Sequence, residues 1–134
     1  MNAQGSSGGP IRGKAHEALP FSRFVLAGDT VHVSGIVGRD PVSRELKQGD
    51  LVDQTRVALQ VIRQILQDAG ACLADVVKAM IFLTNMSNYD DVNRAYREAF
   101  AGALPSRTCV EVKRLPDPEA QVEIEVLVYH PGSE

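Results

Sequence analysis

The sequence predicts a single α/β domain in which two helices cover one face of a mixed β-sheet. Three observations lead there. The chain has 134 residues, a length that suits one domain with one core. Its 44% apolar and 23% charged residues favour a folded chain over a disordered one. Runs with strand spacing alternate with two runs of helical spacing, giving the order β-β-α-β-α-β-β.

Residues 1–13, MNAQGSSGGPIRG, are Gly/Ser-rich and offer little to bury, so they read as a flexible tail ahead of a domain spanning 14–134. Phe24-Val25-Leu26-Ala27 and Thr30-Val31-His32-Val33-Ser34 flank Gly28-Asp29 and predict a hairpin. Gly35, Gly38 and Pro41 then read as breakers of a loop that runs to about Gly49.

Over residues 50–69, Val57, Val61, Ile62, Ile65, Leu66 and Ala69 recur at spacings of three and four, with Asp50 as cap and Gly70 as stop. The nearly continuous apolar run Val76–Leu83 predicts a central strand buried on both faces. A second helix is expected over 89–101, capped by Ser87 or Asn88, with Val92, Ala95, Tyr96, Ala99 and Phe100 inward. Two closing strands follow. One covers about 107–113, with Thr108, Val110 and Val112 on one face. The other covers about 121–129, with Val122, Ile124, Val126 and Val128 on one face. Two helices cover only one sheet face. The other would present Cys109, Glu111, Leu127 and Tyr129, and a second subunit is the natural cover.

The formal net charge of -3 and the scattered basic residues, with Lys113-Arg114 the one compact pair, argue against nucleic acid as the main partner. Cys72 and Cys109 form neither a disulfide framework nor a metal-ligand spacing. No apolar run approaches the roughly 20 residues that span a membrane, and the N-terminus lacks a secretory pattern. A reducing, cytoplasmic setting is the expectation. Neither a phosphate-cradling Gly-rich motif nor a nucleophile elbow is present. His16, His32 and His130 stand isolated; only His32, in the hairpin, could line a cleft.

Arg107 stands out among the charged residues. It follows Pro105-Ser106 and opens a strand, and its planar fork suits a carboxylate. Spacing alone favours a strand-end arginine or an intersubunit ion pair over that role. Glu123 and Glu125 alternate with Val122, Ile124 and Val126; they read as a polar outer face or as a carboxylate that orients water. Cys109, in β-branched company and without a nearby histidine base, reads as a packed thiol.

The segment Pro105-Ser106-Arg107-Thr108-Cys109-Val110-Glu111-Val112, continued by Arg114-Leu115-Pro116 and Val122-Glu123-Ile124-Glu125, resembles the signature of the RidA family, also called the YjgF/YER057c/UK114 family. Val33-Ser34-Gly35, Asp75–Lys78, Phe82-Leu83, Tyr89, Val92-Asn93, Tyr96 and Phe100 extend the resemblance over roughly residues 17–130. It implies a chorismate-mutase-like α/β fold and a homotrimer with clefts between subunits. It also implies hydrolysis of enamine/imine intermediates such as 2-aminoacrylate and 2-iminopropionate to a 2-keto acid and ammonia, without metal or cofactor. On that resemblance, Arg107 would hold the substrate carboxylate and Glu123 would position the water. Ser34, Gly35 and the backbone around Cys109 would contact the substrate. Phe21 stands where the family often has a tyrosine, so an aromatic wall is kept and a hydroxyl is lost. The departure leaves open a bulkier substrate such as 2-aminomuconate, or a non-catalytic metabolite-binding or regulatory role. An RNA-directed role, also described in the family, fits the acidic balance poorly.

Overall fold

A computed structural model describes residues 9–13, 19–40, 42–46 and 50–131. His16, Pro41, Gly49 and residues 1–8 of the expected tail lie outside the described residues. The chain forms β1 (Ile11–Arg12), β2 (Phe24–Ala27), β3 (Thr30–Val37), α1 (Leu51–Asp68), β4 (Val76–Leu83), α2 (Tyr89–Phe100), β5 (Ser106–Glu111) and β6 (Val122–Tyr129). The six strands make one mixed sheet in the order β1-β2-β3-β6-β4-β5. Only the β4–β5 pair is parallel, as expected for two strands joined through the helix α2.

The helices follow the sequence pattern closely. Asp50 caps α1, its side chain accepting from the backbone N–H of Val52 and Asp53, and Gly70 at φ +83° ends the turn. Val61, Ile62, Ile65 and Leu66 are buried against β3 and β6, with α2 packed alongside. In α2 the cap differs from the expectation. Asn88 makes no side-chain cap; Asn85 caps a preceding short helical turn over Met86–Asn88. The Glu111 carboxylate also accepts from the Met86 N–H at 2.7 Å.

Four expectations change. Ile11 and Arg12, assigned to the tail, pair with Leu26 and Val25 as an edge strand. Gly35 does not end β3. The strand runs on to Val37 through a bulge in which Ser34 and Gly35 together face the β6 position of Glu125, between the pairs Val33–Val126 and Ile36–Ile124. β4 is interior to the sheet yet buried on one face only: Ala79, Ile81 and Leu83 are inside while Val77 is 45% exposed. Finally, β5 faces opposite to the expectation. Arg107, Cys109 and Glu111 pair with Ala79, Ile81 and Leu83, so they lie on the helix side, and Thr108 and Val110 lie on the other. The parallel register with β4 sets this, because residues directly across a sheet share a face.

The face away from the helices is partly covered by the chain itself. Leu46, Leu115 and Ala120 are buried there against Val37, Phe82 and Val112. Arg39 clamps the two loops that supply them, meeting Asp117 through Nε at 2.6 Å and Nη2 at 3.1 Å. The rest of that face, including Tyr129, His32 and Glu125, is open to solvent. Among the described residues, no helix is long and apolar enough to cross a membrane.

Candidate active site

Two groups of the expected site residues form, one under α2 on the helix face of the sheet and one around the β3 bulge. The first is built around Arg107. Pro105 and Ser106 lead the chain into β5, and the Ser106 hydroxyl is tied to the Val77 carbonyl at 2.9 Å, fixing the strand entry. Arg107 then points under α2. Its guanidinium carbon lies 4.8 Å from the Tyr96 ring centroid and 5.4 Å from that of Tyr89, a cation–π arrangement. Nη2 donates to the Tyr89 hydroxyl at 3.0 Å. Among the described residues, no carboxylate pairs with this guanidinium. Arg107 opens onto a cleft of about 230 Å³, lined also by Tyr89, Asn93, Tyr96 and Arg97 of α2 and by Leu104 and Pro105.

Helical geometry explains the α2 contribution: positions 89, 93, 96 and 97 share one face. Tyr96 is almost fully buried, and burial, only partly opposed by the nearby Arg107 charge, pushes its hydroxyl up to about 12. It therefore remains a protonated donor. The Tyr96 hydroxyl and the Asn93 side-chain oxygen are both buried without a hydrogen-bond partner among the described residues, a state that costs free energy unless something binds there. Cys109 packs against the main core. Burial raises its thiol pKa more than Arg107 lowers it, so it is a poor nucleophile.

The second group surrounds the bulge. Phe21, Ser34 and Gly35 line a larger cleft of about 880 Å³. The Ser34 hydroxyl donates to the Ser22 carbonyl at 2.6 Å and the Ser34 N–H to the Arg23 carbonyl at 3.0 Å, holding the Phe21 segment against β3. Phe21 is 48% exposed. Glu123 pairs with Val37 and Phe82 on the face away from the helices. A Cβ on Gly35 would overlap the Glu123 carboxylate, so the glycine makes room for that acid. Burial first, and the Glu125 charge second, raise the Glu123 pKa, which poises it to hold and release a proton.

Arg107 and Glu123 do not converge within one chain. Two strand spacings separate β5 from β6, roughly 10 Å, and the sheet lies between the two side chains. The two described histidines stay apart from both groups: His32 contacts Thr30 and His130 faces Asp75 at 3.8 Å. No set of three His, Cys, Asp or Glu among the described residues could hold a metal ion. The sequence reading missed Tyr89, Asn93, Tyr96 and Arg97 as site residues. The available signal was polar atoms on the inward stripe of an otherwise apolar helix face.

The comparisons concern the chain as a whole. A family model described as Endoribonuclease L-PSP matches residues 13–130. A mouse protein named 2-iminobutanoate/2-iminopropanoate deaminase is 37% identical over 115 residues, covering 85% of this chain and 84% of its own length. A Pyrococcus horikoshii protein named only as a RutC family protein is 38% identical over 110 residues, covering 82% and 86%. Among solved structures, a Mycobacterium tuberculosis member of the YjgF/YER057c/UK114 family superposes with a TM-score of 0.79 at 34% identity, covering 90% of this chain and 98% of that one. The matched span, the identities and the superposition agree: this chain belongs to the YjgF/RidA family.

Proposed function

We propose that the protein hydrolyses small 2-imino acids and their enamine tautomers, of the 2-aminoacrylate/2-iminopropanoate kind, to a 2-keto acid and ammonia. One observation carries this reading. The Arg107 guanidinium is held by two tyrosines, has no carboxylate partner among the described residues, and faces a cleft with no acidic lining. That is a carboxylate site of suitable size for a small acid. The name of the mouse relative fits it.

The chemistry needs little more. An imine carbon is already electrophilic, so anchoring, a placed water and proton transfer suffice. Water adds to the carbon and the C=N π pair moves to nitrogen. The C–N bond of the resulting aminoalcohol then breaks, and ammonia leaves with the hydroxyl proton. Glu123, with its raised pKa, takes the proton from water and returns it to the amine. Because Arg107 and Glu123 face away from each other in one chain, the working site pairs Arg107 of one copy with Glu123, Gly35 and Phe21 of another, in a homotrimer.

The test supplies imine from a threonine dehydratase and follows keto-acid release against trapping by semicarbazide. The protein is expected to lower semicarbazone yield, and Arg107→Ala is expected to cut kcat/KM roughly 100-fold, the worth of about 3 kcal/mol for a charge-assisted contact. An unchanged yield with folded protein rejects the reading. Phe21, which lacks a hydroxyl, favours one second reading: a binding module in which pyruvate or 2-ketobutyrate binds and no turnover occurs. The net charge of -3 weighs against the RNA substrate that the family description suggests.

A further inference from the structure

Arg97 gives the Arg107 cleft a second positive charge. It lies on α2 one position beyond Tyr96 and four beyond Asn93, and it lines the same cleft. Two acids of the same helix pair with other arginines: Asp91 with Arg94 at 3.2 Å and Glu98 with Arg56 at 3.2 Å. No carboxylate among the described residues pairs with Arg97, and none lines the cleft. A chain of net charge -3 thus carries a pocket with two guanidinium groups and no acid. Its position in the last turn of α2 also suits the helix dipole, but that role does not require the side chain to border a cavity.

The placement points the same way: Arg107 and Arg97 border one cleft, so a substrate carboxylate at Arg107 would leave Arg97 for its far end. The hydroxyl of Tyr96 and the side-chain oxygen of Asn93, buried and without a partner among the described residues, belong to residues that line the same cleft; a hydroxyl suits a carboxylate oxygen and an amide oxygen suits an imine N–H.

We propose that the preferred substrates are 2-imino dicarboxylates, with one carboxylate on Arg107 and the second on Arg97. This rests on the deaminase reading above and makes Arg97 a specificity-determining residue. Two cations bordering one cleft favour a dianion over a monoanion.

The experiment compares 2-iminoglutarate and 2-iminopropanoate, each generated in place by an amino-acid oxidase, with semicarbazide as the competing trap. The quantity read is the ratio of kcat/KM for the dicarboxylate to that for the monocarboxylate. In the native protein the ratio is expected to exceed one. Arg97→Gln is expected to lower it at least about fivefold, the worth of an exposed ion pair near the top of its range, and Arg97→Lys to retain most of it. A native ratio at or below one, or a ratio unmoved by Arg97→Gln, overturns the proposal. If neither imine is hydrolysed, the deaminase reading fails, and calorimetry decides the dicarboxylate preference separately. Binding of 2-oxoglutarate tighter than pyruvate, with the difference lost in Arg97→Gln, supports it; equal binding of the two overturns it.

Discussion

Glycine 35 and Glu123 couple backbone to chemistry at a single point. A Cβ at position 35 would occupy the space of the Glu123 carboxylate, and the atom it would meet is the far end of a flexible side chain. Gly35→Ala is therefore expected to move Glu123 at little cost to folding, within about 1 kcal/mol, while imine hydrolysis falls at least tenfold. Urea unfolding and the semicarbazide assay on one preparation check the split; equal losses in both would contradict it. Glu123 also leaves a signature in the pH dependence of stability. Its folded pKa is raised, so the folded state holds its proton more tightly than the unfolded state does. Stability is thus greatest below the ordinary glutamate range and declines as pH climbs from there to the folded value. Glu123→Gln is expected to flatten that decline, measured as melting temperature against pH. Pro105-Ser106 and a planar donor at a strand start single out Arg107 in the sequence, but only the family resemblance gives it a carboxylate. Tyr89 and Tyr96 were not visible as its partners, because their contact exists only once α2 crosses β5.

At the scale of elements, the periodic segments were legible and the edges were not. α1 follows from Val61, Ile62, Ile65 and Leu66 at helical spacing with Asp50 ahead, and β6 from the alternation of Val122, Ile124, Val126 and Val128; both match the structure. β5 misled because its β-branched Val110 and Val112 look like core residues, whereas its facing is imposed by β4 across the parallel pair. Gly35 misled because a bulge and a strand end use the same residue. The Arg39–Asp117 clamp joins two loops of separate origin in the chain, a contact that no local pattern announces. Its partners are only partly exposed, at 29% and 17% of their side chains. Asp117→Asn is expected to destabilise by about 1–2 kcal/mol at neutral pH. The hydrogen bond from Arg39 holds the Asp117 pKa below the ordinary range. That contribution is present above the unfolded aspartate pKa and is lost as pH falls through the folded value. Urea unfolding of both proteins at neutral and acid pH should show the gap closing in acid.

For the whole molecule, the sheet sorts the candidate chemistry into two faces. The proposed carboxylate anchor, Arg107, lies under α2 on one side. The candidate proton carrier lies on the other, beside a surface that the chain covers only near Leu46 and Leu115. Exposed Val110 and Tyr129 on that side and the separation of Arg107 from Glu123 are both accounted for by one arrangement, a closed ring of copies in which each interface completes a site. Sedimentation at micromolar concentration is expected to give a trimer, and a monomer alone would remove the arrangement. A more direct measurement mixes Arg107→Ala and Glu123→Gln chains, each inactive by itself, by joint refolding into hybrid assemblies. If sites form between copies, the mixture regains about one quarter of the native rate of imine hydrolysis, the statistical share of interfaces that join two intact halves. Hybrid assemblies that form yet hydrolyse imine no faster than either variant alone would contradict it.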